Sequence, residues 1–276
     1  MHKNNYWQDY FKNVHPTYME EWYDELEDIT IPSKCFQIFD DEREAIISLL
    51  DGNADSKALD KTEKKLSWAF KEIKGERFFV RLGSRSPKDN QIEIKKPKDV
   101  FTAFGDSSRI LEDLTLASMV DYTPYVFVRK WVTIPQDKEF RCFVKNGELK
   151  GISQYYYRTK YYYLDKPEQR KLIEFQARKL LTKIKEKFKL KDFIFDICYR
   201  PTEDLPLLIE INPFSSWTDP CLFDWALDKF EDFDFKWLED ISKPHKPEVD
   251  SSQPLDVKQE GGNGVPPTPK ECGYPA

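Results

Sequence analysis

Cysteine and histidine are scarce in this chain of 276 residues, which holds five cysteines and three histidines. The cysteines are widely spaced, and two of them lie inside predicted strands: Cys35, Cys142, Cys198, Cys221 and Cys272. Their odd number and their spacing favour reduced, buried thiols over a disulfide framework or a zinc site. Because His2, His15 and His245 lie outside the apolar segments, we do not expect a histidine-based catalytic triad or metal cluster.

Long apolar runs and glycine-rich phosphate loops are also missing from the sequence. No apolar run approaches the length of a membrane span, and the first seven residues lack the apolar core of a signal peptide. We therefore expect a cytoplasmic protein without membrane contact. No glycine-rich loop precedes a Lys-Ser or Lys-Thr pair, which excludes a P-loop. The net charge of -6 argues against binding duplex nucleic acid through bulk charge.

Aromatic residues supply most of the capacity for burial. The chain is 39% hydrophobic and 33% charged, but it contains 14 Tyr, 20 Phe and 7 Trp. We predict a folded region over residues 1–242, with an N-terminal lobe over about 1–124 and a C-terminal lobe over about 125–242. Residues 243–276 are rich in proline and glycine and poor in apolar residues, a composition typical of a disordered tail.

Hydrophobic periodicity predicts both helices and strands in this region. Helical spacing is found near the N-terminus, over about 59–73, near 99–104, from Ser107 and from Pro167. Strand patterns cover 77–82, 125–133, 139–144 and 148–155, and Asn146-Gly147 predicts a hairpin between the last two.

Two further short runs, 193–199 and 207–213, each carry a carboxylate where a core residue would be expected. Residues 200–204 between them have turn chemistry, which predicts an antiparallel hairpin. A turn centred on residue 203 places Asp196 opposite Glu210. Like charges facing each other destabilise a sheet, and half-buried carboxylates are costly, so a cation is expected between them.

Alternation along these strands predicts the composition of each face. The carboxylate face would hold Ile194, Asp196, Cys198, Leu208, Glu210 and Asn212, and the opposite face Phe193, Phe195, Ile197, Ile209 and Ile211. Oxygen ligands from Asp196, Glu210 and Asn212 suit magnesium, which proteins usually bind through one or two carboxylates and the phosphates of a nucleotide. The alternative is a sheet with one solvated face, in which both carboxylates point to solvent.

Basic residues lie near the ends of the strands that precede this hairpin. They are Arg81, the loop 83–89, Arg129-Lys130, Arg141, Arg158 and Lys160. Each one alone is typical of a solvated surface. Together with paired carboxylates they indicate cations for phosphates and acids for magnesium.

Four ordered motifs stand out in the sequence. The first is Glu139-Phe140-Arg141-Cys142-Phe143-Val144-Lys145-Asn146-Gly147-Glu148-Leu149-Lys150-Gly151-Ile152-Ser153-Gln154. The others are Asn212-Pro213-Phe214 with Thr218-Asp219 and Leu222-Phe223-Asp224-Trp225, then Arg129-Lys130-Trp131 with Pro135, and Leu82 with Ser86-Pro87-Lys88-Asp89. Together these motifs resemble the cell division cycle protein 123 family, an ATP-grasp family. The resemblance covers about residues 66–225.

This resemblance implies an α+β ATP-grasp fold, in which two lobes with antiparallel sheets and packed helices bind ATP and Mg²⁺ in the cleft between them. For eukaryotic members it implies assembly of translation initiation factor 2 through its gamma subunit, hence a protein partner. Other ATP-grasp proteins are ligases that activate a carboxylate as an acyl phosphate. A ligase would act on a protein, an RNA or a small-molecule acceptor. We expect a monomer in either case.

The family's metal positions fall on Asp196, Glu210 and Asn212, with Glu210 replacing the more usual aspartate. Arg81 stands where the family has a phosphate-facing lysine, and Lys88 belongs to the same lobe motif. A guanidinium contacts phosphate in a different geometry from an ammonium.

The adenine-binding and hinge segment matches Arg129, Lys130, Trp131 and Val132. Because adjacent strand residues face opposite ways, we assign Lys130 to the phosphates and Arg129 to the vicinity of the base. Packing in the core is the alternative role for Trp131.

The ligase alternative requires cations that stabilise an electrophile, for which Arg141 and Arg158 are the candidates. The family usually continues with an arginine after the residue that matches Gln154. Here three tyrosines precede Arg158, so this phosphate contact would have moved to Arg158.

Overall fold

Two sheets and seven helices make up the described part of the chain, residues 3–49, 52–88 and 93–239 of the computed structural model. The helices are α1 (Lys3–Val14), α2 (Tyr23–Leu26), α3 (Asp40–Ile47), α4 (Ser56–Ile73), α5 (Asp99–Gly105), α6 (Ser108–Met119) and α7 (Pro167–Lys187). The strands are β1 (Ser33–Gln37), β2 (Phe78–Leu82), β3 (Tyr125–Lys130), β4 (Glu139–Lys145), β5 (Glu148–Gln154), β6 (Phe193–Cys198), β7 (Leu207–Pro213) and β8 (Asp234–Lys236). Short 3₁₀ turns lie at His15–Thr17, Met19–Glu21, Glu27–Ile29, Gln136–Lys138 and Tyr162–Asp165.

The first sheet is antiparallel with the strand order β1-β3-β2. One of its faces packs against residues of α3, α4, α5 and α6, in a core that includes Val80, Leu82, Val126 and Val128. Phe127, on the other face of β3, belongs to the core of the second sheet. β3 therefore lies between the two cores, and its even- and odd-numbered side chains contact different lobes.

The second sheet has the order β7-β6-β4-β5-β8, and its pairs are antiparallel except for β5 with β8. Helix α7 covers one face through its apolar side, with Pro167 in the first turn as expected from its fixed backbone angle. The segment that holds Met19 and Trp22 packs into the same core. On the other face, Phe143 packs with Phe223 and Phe230.

The structure confirms the predicted α+β class with antiparallel sheets. The Asn146-Gly147 hairpin is also confirmed, since both residues have positive φ angles, 54° and 75°. The lobe boundary near residue 125 needs correction because β3 is the central strand of the first sheet, so that sheet extends to Lys130. The predicted tail over residues 243–276 lies outside the described residues.

Within the described ranges, none of the helices combines the length and apolar character needed to cross a membrane.

Candidate functional site

Asp196 and Glu210 lie opposite each other on β6 and β7, as the sequence predicts. The same register pairs Ile194 with Asn212. Asp196 is 0% exposed and Glu210 is 7% exposed. The alternative in which both carboxylates point to solvent is therefore wrong, and each buried carboxylate needs a compensating partner.

A bulge in β7 interrupts the predicted alternation next to this pair. The register shifts between Asp196 and Ile197, so that Ile197 pairs with Leu208. Leu208 consequently packs in the core with Ile197 rather than on the carboxylate face. The placement of Leu208 beside Glu210 was wrong because the extra residue, Ile209, reverses the side-chain direction beyond it.

Arg141 compensates Asp196 from the neighbouring strand. The two residues are register partners on β4 and β6. Arg141 Nε and Nη2 donate to the two oxygens of Asp196 at 2.9 and 2.8 Å, and both side chains are almost fully buried. Such a bidentate pair is strong and geometrically specific.

Two cations from the first lobe compensate Glu210. Arg81 Nη1 donates to Glu210 Oε2 at 2.7 Å, and Lys88 Nζ lies 3.5 Å from Glu210 Oε1. Arg81 also donates to the carbonyls of Leu82 and Ser84 at 2.9 Å, which fixes its guanidinium. Burial would raise the pKa of Glu210, but Lys88 and Arg81 lower it well below its ordinary value.

These contacts define a charged cluster that consists of Arg81, Lys88, Arg141, Asp196 and Glu210. Three cations face two carboxylates, so the cluster carries a net positive charge when all five groups are ionised. It joins β2 and the loop after it to β4, β6 and β7. The positive charge expected between the two carboxylates is therefore supplied by basic side chains.

The predicted magnesium ligands fit the ion in their chemistry. Asp196 and Glu210 offer carboxylate oxygens, and the Asn212 amide lies 3.3 Å from Asp196 Oδ2. The described residues include no group of three or more His, Cys, Asp or Glu that could hold a metal. A metal here would need the amide oxygen of Asn212 and ligand phosphates as well, in keeping with the preference of magnesium for mixed oxygen ligands.

Arg129, which the sequence predicts near the base, has a buried side chain that contacts the second lobe. Its side chain is on the same face of the first sheet as Phe127 and is 1% exposed. Nη1 donates to the carbonyl of Ile209 at 2.9 Å, and Nη2 donates to Thr30 Oγ1 at 3.1 Å. Burial, together with Arg81 nearby, lowers the pKa of Arg129, although a guanidinium still stays charged.

Thr30 completes this contact by donating to the carbonyl of Leu208 at 2.8 Å. The bulge in β7 thus presents two successive carbonyls to the first lobe. We interpret Arg129 as a residue that holds the two lobes together. Its bonded nitrogens and its burial leave little surface for a ligand.

Lys130, Trp131 and Val132 lie at the end of β3 and just beyond it. Lys130 is exposed. It lies on the same face of β3 as Val126 and Val128, which belong to the core of the first sheet. The predicted alternation is confirmed, but Arg129 rather than Lys130 is on the side of the carboxylates. Arg77 lies 5.6 Å from the ring centre of the partly buried Trp131, and Val132 is 37% exposed.

Arg158 is exposed and lies beside Tyr157, after the end of β5. In the described part of the chain, the cations that pair with Asp196 or Glu210 are Arg81, Lys88 and Arg141. Of the two candidate catalytic arginines, the structure brings only Arg141 into the charged cluster.

Sequence reasoning missed two residues at the cluster, Tyr155 and Glu139. The Tyr155 ring centre lies 5.0 Å from the Arg141 guanidinium, and its hydroxyl accepts from Lys88. Burial raises the pKa of Glu139 to about 7, with Asp196 adding to the rise. For Tyr155, the signal available in the sequence was the run of three tyrosines after Gln154, where the family resemblance implies an arginine.

We expect Glu139 to make folding stability depend on pH. A carboxyl whose pKa rises on folding binds its proton more tightly in the folded state, so its contribution is most favourable below its unfolded value of about 4.3. The free energy of unfolding should then decrease as the pH rises through about 7. Urea unfolding at several pH values should show a weaker decrease for Glu139→Gln than for the parent. Equal pH dependence in both proteins would contradict this prediction.

Comparison with known proteins identifies the family of this chain. The D123 family model matches residues 22–257. The chain is 31% identical over 164 residues to a Xenopus tropicalis protein named translation initiation factor eIF2 assembly protein, over 53% of this chain and 48% of that protein. A Candida albicans protein of the same name is 32% identical over 195 residues, 62% of this chain and 55% of that protein. The chain thus spans about half the length of the curated relatives it matches.

The solved structure of Cdc123 from Schizosaccharomyces pombe has the same fold. It superposes with a TM-score of 0.64 at 24% identity, over 78% of this chain and 90% of that chain. The motifs that resemble the cell division cycle protein 123 family lie within the range that the family model matches. The chain therefore belongs to the D123 family.

Proposed function

We propose that the charged cluster binds the phosphates of ATP together with Mg²⁺, in the manner of an ATP-grasp cleft. The observation that carries this proposal is the meeting of cations from both lobes on two buried, paired carboxylates. The cations of such a cluster can exchange their contacts with the carboxylates for contacts with a polyphosphate. The carboxylates that these cations leave would then accept a divalent metal in their place.

Each side chain has a defined part in this exchange. Arg81 and Lys88 would contact the phosphates from the first lobe, and Arg141 from the second. Asp196, Glu210 and Asn212 would hold Mg²⁺, which would neutralise part of the phosphate charge when bound. Trp131 and Val132, which directly follow β3, would supply an apolar wall and backbone groups for the base. This proposal gives Lys130 and Arg129 no direct contact with ATP.

We further propose that this ATP-binding chain acts as an assembly factor for translation initiation factor 2. The support is the family membership, with the names of the relatives described above. Following the family resemblance, we propose the gamma subunit as the partner. A protein partner needs a surface and not a reaction, so hydrolysis of ATP is not required.

The ligase alternative receives less support from the arrangement of its candidate arginines. Arg141 is the cation of the second lobe that the proposal assigns to the phosphates, so it is not left for a reacting carbonyl. Arg158 lies outside the charged cluster. A ligase would need at least one such cation directed at the reacting carbonyl.

Two assays on the full chain test the proposal. Individually produced subunits of translation initiation factor 2 should be captured with and without Mg·ATP, and we expect the gamma subunit to be retained preferentially. Phosphate release should stay at the background level in the presence of that subunit. Failure to retain any subunit would contradict the assembly role, and acceptor-dependent phosphate release would favour the ligase.

A further inference from the structure

Tyr155 lies between cations that come from the two lobes. Its hydroxyl accepts a hydrogen bond from Lys88 Nζ at 2.7 Å, and the same nitrogen lies 5.2 Å from the ring centre. The Arg141 guanidinium lies 5.0 Å from that ring centre. One side chain thus contacts two of the three cations of the charged cluster.

The backbone around Tyr155 is tied down independently of these cations. Its amide donates to the carbonyl of Glu139 at 3.0 Å. The buried Gln154 donates to the carbonyls of Tyr156 and Thr159 at 2.9 Å, and its own oxygen accepts from the amide of Leu238 at 2.8 Å. The tyrosine ring is therefore presented from a loop with fixed ends.

Lys88 gains more from this contact than Arg141 does. The Lys88 side chain is 43% exposed, and its distance of 3.5 Å to Glu210 is long for a hydrogen bond. The hydroxyl of Tyr155 is the closer partner. A flexible lysine that is held at one point loses less conformational entropy when it then binds an anion. Arg141 already has its position fixed by Asp196.

We propose that Tyr155 is a positioning residue for polyphosphate binding, whose hydroxyl holds Lys88 at the cleft while its ring supports Arg141. This inference rests on the proposed function, since the anion that it serves is the phosphate chain of ATP. It assigns a role to the tyrosine at the position where the family resemblance implies an arginine. A residue that only fills space would not distinguish between ligands with and without phosphates.

Variants at this position separate the hydroxyl from the ring. Tyr155→Phe removes the hydroxyl and keeps the ring, and Tyr155→Leu removes both. Tyr162→Phe is a matched control, because Tyr162 is 71% exposed and its ring contacts Lys160. Calorimetry with ATP, inorganic tripolyphosphate and adenosine then measures the effect on phosphate and base separately.

We expect Tyr155→Phe to weaken binding of ATP and tripolyphosphate about three- to tenfold and to leave adenosine binding unchanged. Tyr155→Leu should weaken the two phosphate ligands further. In a Lys88→Ala background, Tyr155→Phe should have no additional effect, because the cation it positions is gone. Equal loss for all three ligands, or no loss for any of them, would overturn the positioning role.

A second readout does not depend on nucleotide binding. In protein whose lysines carry ¹³C-methyl groups, the signal of Lys88, assigned with Lys88→Arg, should move in Tyr155→Phe and stay in place in Tyr162→Phe. An unmoved signal would overturn the contact itself. If the parent binds neither ATP nor tripolyphosphate, the proposed function fails, and this signal alone decides whether Tyr155 holds Lys88.

Discussion

Replacing Arg141 with alanine is expected to lower the free energy of unfolding by about 3 to 5 kcal/mol, because it leaves Asp196 buried without its charge partner. Asp196 is 0% exposed, and both of its oxygens accept from Arg141. In a chain of this size the loss corresponds to a thermal midpoint lower by about 10 °C. Urea and thermal unfolding followed by circular dichroism measure both quantities.

Two further variants identify the cause of this loss. Arg178→Ala is the matched control, since Arg178 is exposed and pairs with Glu174 on α7, so its loss should cost less than about 1 kcal/mol. The double variant Arg141→Ala, Asp196→Ala should show a coupling energy of about 1 to 3 kcal/mol, because it removes the unpaired charge as well. Strict additivity of the two single changes would contradict the interpretation of this pair.

The change Glu210→Gln should reverse the effect of magnesium on ATP binding. It removes one proposed metal ligand and at the same time releases Arg81 and Lys88 from their carboxylate. ATP without metal should bind more tightly to the variant than to the parent, while Mg·ATP should bind more weakly. A charge-assisted contact contributes about 1.5 to 3 kcal/mol, so each shift should be about tenfold or more. Calorimetric titration with and without Mg²⁺ measures both affinities.

Glu203→Gln provides the control for this charge change. Glu203 lies in the exposed turn between β6 and β7, so the same charge is removed from the same hairpin away from the cluster. It should leave both affinities within about twofold, because solvent and salt screen exposed charges. If Glu210→Gln weakened both forms of ATP equally, Glu210 would be a structural residue and not a metal ligand.

The hairpin of β6 and β7 shows what local sequence patterns can predict and what they cannot. Strand period and turn chemistry were sufficient to pair Asp196 with Glu210, because register in a short hairpin follows from its turn. The same patterns could not predict which face of β7 carries the Leu208 side chain. Its direction depends on a bulge, and the bulge is stabilised by Arg129 and Thr30, which lie far away in the sequence.

The roles of Arg129 and Lys130 illustrate a second limit. Alternation correctly separated their faces, but it could not say which face of β3 would meet the other lobe. That choice depends on the packing of Phe127 into the second core and of Val128 into the first. Both residues are apolar, so the sequence does not distinguish the two faces of β3. Only tertiary contacts determine which face meets the second lobe.

The sequence predicted which types of residue form the charged cluster, but it did not predict which cation pairs with which carboxylate. Basic residues and carboxylates were both identified, and magnesium was inferred as the compensating charge. In the structure Arg141 pairs with Asp196 across neighbouring strands, which follows from a strand order that no local pattern specifies.

The most direct test of the account is to locate a metal beside Asn212 when ATP binds. Asn212 is partly buried, and its amide makes only a long contact of 3.3 Å to Asp196, so its side chain can be followed without disturbing the buried ion pairs. We predict that paramagnetic Mn²⁺ with ATP broadens the ¹⁵N side-chain amide signals of Asn212, identified with Asn212→Ala, and that excess Mg·ATP restores them. ATP binding that leaves these signals sharp in the presence of Mn²⁺ would contradict the proposed site.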